Sequence, residues 1–187
     1  AVVVLTGAGR GFCAGGDVGS MSGYDVVSGR KRSKGHQQMI LALHHLEKPV
    51  IAAVRGPAAG IGASMALACD LIVASETAYL LMAFKNVGIP PDGGAIYFLT
   101  QHLGLARAKE IVYSARKLPA LEARDMGLIS RVVPDDQLEE LAAGADVLVV
   151  EHQLAAVLAE EAELAPQSLL HRAQQRKRQH DHRHPKQ

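Results

Sequence analysis

Residues 50–62 read VIAAVRGPAAGIG, and this stretch decides the predicted fold. Its apolar beginning predicts a buried strand, and Gly56 and Pro57 then predict a tight turn. A second stretch of the same design, TGAGRGFCAGGD at residues 6–17, follows the apolar run at 2–5. Such a turn leaves backbone N–H groups free at a helix start, where they can bind a phosphate or an oxyanion formed during a reaction. From spacing alone, tight turns and close packing account for these glycines better than a ligand does.

The rest of the chain alternates between strand patterns and helix patterns, which is typical of an α/β fold. The predicted strands cover residues 2–5, 50–54, 71–74 and 129–133. The predicted helices cover residues 36–46, 63–69, 93–103, 105–114, 122–126 and 137–164. We expect the core at residues 1–141. Residues 142–187 are expected to form a divergent helical segment and a basic, histidine-rich tail, of which 171–187 should be disordered.

Composition narrows the class of protein. The 187 residues, with 48% hydrophobic and 21% charged side chains, predict a single globular domain. No apolar run approaches the roughly 18 residues of a membrane helix, so we expect no membrane partner. The net charge is only +1 and its basic excess lies in the tail, which argues against a fold that binds nucleic acid. Two cysteines cannot build a disulfide framework, so we expect a reducing compartment, the cytoplasm.

The glycine-rich stretches do not have the sequence of a nucleotide-binding loop. Phe12 stands where the dinucleotide fingerprint needs its third glycine, and no Gly-Lys-Ser/Thr occurs anywhere in the chain. We therefore expect no nucleotide cofactor and no phosphate loop.

Taken together, the two stretches carry more information than either alone. With ACD at 68–70, GIPPDGG at 88–94, ARDMGLI at 123–129 and VVP at 132–134, they resemble the crotonase (enoyl-CoA hydratase/isomerase) superfamily. The nearest resemblance is to the branch of epoxide and enoyl-CoA isomerases, and it covers residues 1 to about 141. It implies an N-terminally incomplete spiral of ββα units and an acyl-CoA thioester substrate. Coenzyme A is part of that substrate, no other cofactor is expected, and intact relatives would be homotrimers or hexamers.

The resemblance also implies the site residues. The family's two oxyanion donors correspond to the backbone N–H groups of Gly16 and Ile61, and each such donor can stabilise a transition state by about 3 kcal/mol. The positions implied to contact coenzyme A or the acyl group, besides these two, are Ala14, Asp17, Val18, Gly60 and Phe84. No metal site is expected in the core, and the His180–His184 cluster in the tail lacks a fixed geometry.

The choice of reaction depends on the carboxylates. The two glutamates that hydratases of this family use correspond to Ser64 and Phe84, neither of which can move a proton to or from water. Asp92 remains, and from spacing alone it is best interpreted as the N-cap of a helix. The resemblance instead implies an aspartate that faces the acyl group. We expect it to shuttle a proton, with covalent attack as the alternative.

Other interpretations stay open at this point. Gly62-Ala63-Ser64-Met65-Ala66 is similar to the serine loop of Clp peptidases, for which His102 is the available base. An enzyme similar to enoyl-CoA hydratase and a catalytically silent module that binds coenzyme A are the alternatives to the isomerase. We expect His36, His44 and His45 to lie on the surface, and Cys13 and Cys69 to be buried packing residues.

Overall fold

The apolar runs form two sheets in a computed structural model that describes residues 2–21, 23–143 and 146–150. The strands are Val3–Gly7 (β1), Val50–Val54 (β2), Pro57–Ala59 (β3), Leu71–Ser75 (β4), Tyr79–Leu81 (β5), Lys117–Pro119 (β6), Arg131–Val133 (β7) and Asp146–Val150 (β8). The helices are Val26–His44 (α1), Ile61–Leu67 (α2), Ala95–Ser114 (α3), Ala120–Asp125 (α4) and Asp135–Ala143 (α5). The larger sheet has the order β7-β4-β2-β1-β8 and is parallel throughout, while the smaller has the order β3-β5-β6.

In two pairs of consecutive strands, the first strand lies in the larger sheet and the second lies in the smaller sheet. β2 lies in the larger sheet and β3, after a short turn, in the smaller, and α2 follows. β4 and β5 repeat this division before α3. This is the spiral of ββα units that the resemblance implies, so the α/β prediction and the fold are confirmed.

The two faces of the larger sheet are both buried, as parallel sheets require. Successive side chains of a strand point to opposite faces, so Ala52 and Val54 pack into the main core between the sheets and helices. Ala53 points the other way and packs with Val73 and with Leu138 of α5. The apolar run at residues 50–54 is therefore continuous because both faces of β2 pack against apolar residues, and of the strand's side chains only Ile51 is partly exposed.

The predicted helix over residues 137–164 is wrong for residues 146–150, which form β8. This strand pairs in parallel with β1, from Val3 opposite Asp146 to Gly7 opposite Val150. Its DVLVV sequence is rich in β-branched residues, which fit a pleated sheet better than a helix. The remaining residues of the predicted helix beyond 150, and the predicted tail, lie outside the described residues. The division of the chain at residue 141 stays a prediction.

α1 differs from its predicted bounds, whereas the break predicted inside α3 is observed. α1 begins at Val26, ten positions before the predicted start, because Asp25 caps it and accepts a hydrogen bond from the Ser28 amide. The hydrogen bonds from Ser28 hold the pKa of Asp25 below its usual range. In α3 the predicted break between 103 and 105 is confirmed, since Gly104 has a φ of 75° that a side chain would oppose.

Substitution of two helical glycines by alanine should change stability in opposite directions. A Cβ on Gly62 of α2 would lie 2.7 Å from the Cβ of Cys13, so Gly62→Ala should destabilise by about 1–3 kcal/mol through overpacking. Nothing lies within 4 Å of a Cβ on Gly29 of α1, so Gly29→Ala should stabilise by about 0.5–1 kcal/mol. Urea unfolding of both variants measures the difference. A neutral or stabilising effect of Gly62→Ala would contradict the close packing of Gly62.

Candidate active site

The two glycine-rich loops lie side by side because backbone hydrogen bonds join them. The Cys13 amide donates to the Pro57 carbonyl at 3.0 Å, and the Ala59 amide donates to the Cys13 carbonyl at 2.9 Å. A Cβ added to Gly15 would lie 2.9 Å from the Ala59 carbonyl oxygen and 3.9 Å from the Cα of Gly60. Gly15 and Gly60 are therefore close together, and the predicted oxyanion donors, Gly16 and Ile61, are the next residue of each loop.

The amides of Gly16 and Ile61 are both available to an acceptor. Ile61 is the first residue of α2, so its N–H group has no carbonyl to bind within the helix. Neither amide donates a hydrogen bond to any described residue. Gly60, with a φ of 53°, turns the chain into the helix at this point.

Asp92 is brought to the same place by the packing of its loop against α2. The Ser64 hydroxyl donates to the Asp92 carbonyl oxygen at 3.1 Å. A Cβ on Gly93 would collide with the Cδ1 of Ile61 and lie 3.0 Å from the Cβ of Ser64. Asp92 and Ile61, 31 positions apart in sequence, are thus held against each other through their neighbours.

The side chain of Asp92 is not a helix cap. The N-cap of α3 is Gly94, and no side chain caps that helix, so the interpretation from spacing alone is wrong. Instead, Oδ2 of Asp92 lies 3.0 Å from Nδ1 of His36. Oδ1 is buried and has no hydrogen-bond partner among the described residues. A carboxylate with one bound oxygen and one unbound, buried oxygen is an unusual ground state, because buried polar atoms are nearly always paired.

The expectation that His36 lies on the surface is wrong. The side chain is 6% exposed and contacts Asp92, whose own side chain is 27% exposed. His36 lies three, four and seven positions before Met39, Ile40 and Leu43, all of them buried, so the helical spacing already placed it on the inner face of α1. His44 and His45 are exposed, as predicted.

The structure adds a basic residue that the sequence did not single out. A Cβ on Gly16 would collide with Nη2 of Arg32, so this guanidinium lies directly against the first loop. It also contacts the Tyr24 ring, at 5.6 Å from the ring centroid. α1 carries Arg30, Lys31 and Lys34 beside Arg32 and has no acidic residue. Arg32 therefore places a positive charge beside Gly16, on a helix whose first half is rich in basic residues.

The other predicted contact residues differ in how far they are exposed to solvent. Ala14, Asp17 and Val18 are exposed along the first loop, and Gly60 is half-buried. Phe84 is 4% exposed and belongs to the main core. A groove of about 370 Å³ opens between α1 and α3 beside Gly93; its lining includes Gln37, Ile40, Tyr97 and Phe98. The roles of all five predicted contact residues stay predictions.

The remaining candidates have structural roles. Ser64 is completely buried, its hydroxyl donates to the Asp92 backbone carbonyl, and no described hydrogen bond joins it to His102, so the peptidase pair is not formed. Both cysteines are buried as predicted; burial and the charge of Asp70 raise the pKa of the Cys69 thiol to about 12. In the described ranges, no group of three or more His, Cys, Asp or Glu could hold a metal ion, and no helix has the length and apolarity to cross a membrane.

Comparison with known proteins agrees with this geometry. The sequence model of the family described as "Enoyl-CoA hydratase/isomerase" matches residues 1–185. A probable enoyl-CoA hydratase of Rhodobacter capsulatus is 39% identical over 137 residues, covering 73% of this chain and 53% of that protein. The 1,2-epoxyphenylacetyl-CoA isomerase of Escherichia coli is 38% identical over 144 residues, covering 75% and 55%.

Solved structures give the same result at the level of the fold. The crystal structure of an enoyl-CoA hydratase from Bacillus anthracis superposes with a TM-score of 0.72 at 33% identity, covering 95% of this chain and 70% of that one. The chain spans about half the length of the curated relatives named above. From the paired loops, the strand order and these matches, the chain belongs to the enoyl-CoA hydratase/isomerase family.

Proposed function

We propose that the protein isomerises acyl-CoA thioesters, moving a double bond or opening an epoxide, with Asp92 as the acid and base. The observation that carries the proposal is the unpartnered, buried Oδ1 of Asp92 in a loop packed against Ile61. This leaves one carboxylate oxygen without a hydrogen-bond donor among the described residues, so it can face a reacting atom while the other is held. The free amides of Gly16 and Ile61 supply the complementary donors.

The chemistry of a double-bond shift needs only these groups. Oδ1 of Asp92 removes a proton from a carbon in conjugation with the thioester carbonyl, and the electron pair of the broken C–H bond moves into an enolate. The N–H groups of Gly16 and Ile61 donate hydrogen bonds to the enolate oxygen, where the negative charge develops. The protonated Asp92 then returns the proton to a different carbon, which completes the isomerisation with no net change in the enzyme.

Isomerisation is favoured over hydration because Asp92 is the one carboxylate whose loop the described contacts place against Ile61. Hydration requires one group to activate water and another to deliver a proton. Ser64, at one of the two positions implied for the hydratase glutamates, uses its hydroxyl on the Asp92 backbone, and Phe84, at the other, has no ionisable group. One aspartate suffices to move a proton between two carbons.

The charge and shape around the site suit a coenzyme A thioester. The phosphates of coenzyme A would lie near the cationic half of α1 beside Gly16, and the apolar groove near Gly93 offers room for an acyl group. Coenzyme A enters as part of the substrate, so the proposed reaction uses no further cofactor. The proposal includes a homotrimeric or hexameric assembly, carried over from the family resemblance, and a cytoplasmic location, inferred from the two cysteines.

The proposed function is tested with a panel of 3-enoyl-, 2-enoyl- and epoxy-acyl-CoA substrates in deuterated water. The expected result is an isomeric acyl-CoA in which the transferred hydrogen is largely retained, because Asp92 returns the proton that it removed. A 3-hydroxyacyl-CoA product would indicate a hydratase instead. Acyl-CoA binding in calorimetry without any product would indicate a silent binding module. Absence of binding would overturn every interpretation in which the protein binds coenzyme A.

A further inference from the structure

We infer that His36 is a positioning residue that selects Oδ1 as the reactive oxygen of Asp92. The inference rests on the proposed role of Asp92 and deepens it. Nδ1 of His36 lies 3.0 Å from Oδ2 of Asp92, and the two residues are 56 positions apart along the chain. The contact therefore exists only because α1 packs across the loop that precedes α3.

The direction of the hydrogen bond follows from the ionisation of Asp92. A carboxylate oxygen can only accept, so the shared proton is carried by Nδ1 of His36 and donated to Oδ2. Asp92 acts as a base only in this ionised form. A charge-assisted hydrogen bond of this kind is stronger than one between neutral groups and holds both partners in one orientation.

The consequence is that the two oxygens of Asp92 have different roles. Oδ2 is occupied by His36, whereas Oδ1 is buried and has no partner among the described residues. The backbone of Asp92 is held separately by the hydroxyl of Ser64, at 3.1 Å. The carboxylate is thus fixed from α1 through its side chain and from α2 through its backbone, so it cannot rotate to exchange the two oxygens without breaking a hydrogen bond.

The protonation states of Asp92 and His36 during the proposed reaction are consistent with a positioning role. When Oδ1 takes a proton from the substrate carbon, Oδ2 still has lone pairs that accept from Nδ1 of His36. The same hydrogen bond survives in both states of Asp92, and His36 neither gains nor loses a proton during turnover. Its contribution is geometric, because small displacements of a reacting group are costly; about 1 Å can lower the rate about a hundredfold.

The test compares His36→Ala, which removes the donor, with His36→Asn, whose side-chain amide can donate from nearly the position of Nδ1. We expect His36→Ala to lower kcat about 10- to 100-fold with KM changed less than about threefold, because the reacting oxygen is misplaced while the binding groups remain. His36→Asn should recover most of that loss. The matched control is His102→Asn at an exposed histidine of α3, which should retain the wild-type kcat.

A second measurement does not depend on activity or on the folding of a His36 variant. In protein labelled with ¹⁵N-histidine, the Nδ1–H group of His36 should give a resonance that is protected from solvent exchange and is lost in Asp92→Ala. Absence of the resonance from the wild type, or its persistence in Asp92→Ala, would overturn the inference. So would equal kcat values for the wild type and His36→Ala.

The two levels of the proposal fail in different ways. A wild-type protein that forms no isomeric acyl-CoA, yet shows the Asp92-dependent Nδ1–H resonance, would refute the proposed isomerase while retaining the pairing of His36 with Asp92. Equal rates of isomerisation by the wild type and His36→Ala would keep the isomerase and reject the role of His36. Recovery by His36→Asn supports both.

Discussion

Asp92→Asn should lower the kcat of acyl-CoA isomerisation by about a thousandfold, within the range of about 10²- to 10⁴-fold that general acid–base catalysis contributes. Asparagine has nearly the same size and can still accept the hydrogen bond from His36 through its amide oxygen. It has no basic oxygen to remove the substrate proton, so the chemical step is lost while the packing around Gly93 is kept. The rate of isomer formation in a single turnover should fall in parallel with kcat.

The effect of Asp92→Asn on kcat must be compared with that of an Asp→Asn change outside the proposed site. Asp125→Asn provides it, because the Asp125 side chain is 68% exposed at the end of α4 and pairs only with its neighbour Arg124. It should turn over like the wild type. Acyl-CoA affinity, measured by calorimetry, should change little in Asp92→Asn. A kcat for Asp92→Asn close to that of Asp125→Asn would remove Asp92 from the reaction.

Ile61→Pro should lower kcat by about a hundredfold to a thousandfold, the usual effect of removing one oxyanion donor. Proline has no N–H group, so the substitution deletes the proposed donor itself, which no ordinary side-chain change can do. Position 61 tolerates it because the first residue of a helix makes no intrahelical hydrogen bond through its amide, and proline is common there. The rate constant of the chemical step, measured in a single turnover, checks the expectation.

Loss of side-chain volume must be separated from loss of the amide. Ile61→Val removes a comparable part of the side chain that contacts Gly93 but retains the N–H group. Its cost should be about 0.5–1.5 kcal/mol of stability, with a much smaller effect on kcat than that of proline. If proline and valine reduce kcat equally, the amide of Ile61 has no part in stabilising the enolate. Thermal unfolding of both variants confirms that each retains its fold.

Much of the fold could be predicted because its signals are local. The apolar run at residues 50–54 and the glycines after it specify a strand, a turn and a helix start within thirteen residues. Gly104 divides α3 where the pattern placed a break. Local patterns failed at β8, because the DVLVV run acquires its structure by pairing with β1, about 140 positions away in sequence.

The sequence by itself determined the alternation of strands and helices and the two glycine-rich loops, each with free amides where a helix starts. These follow from residue types and short spacings, which act over a few positions of the backbone. Only the tertiary structure decided that Asp92 is no helix cap, that His36 is buried against it and that one carboxylate oxygen is left without a partner. Those features depend on the packing of α1 across α2 and the Asp92 loop, because a hydrogen bond between distant residues forms only where the folded core brings them together.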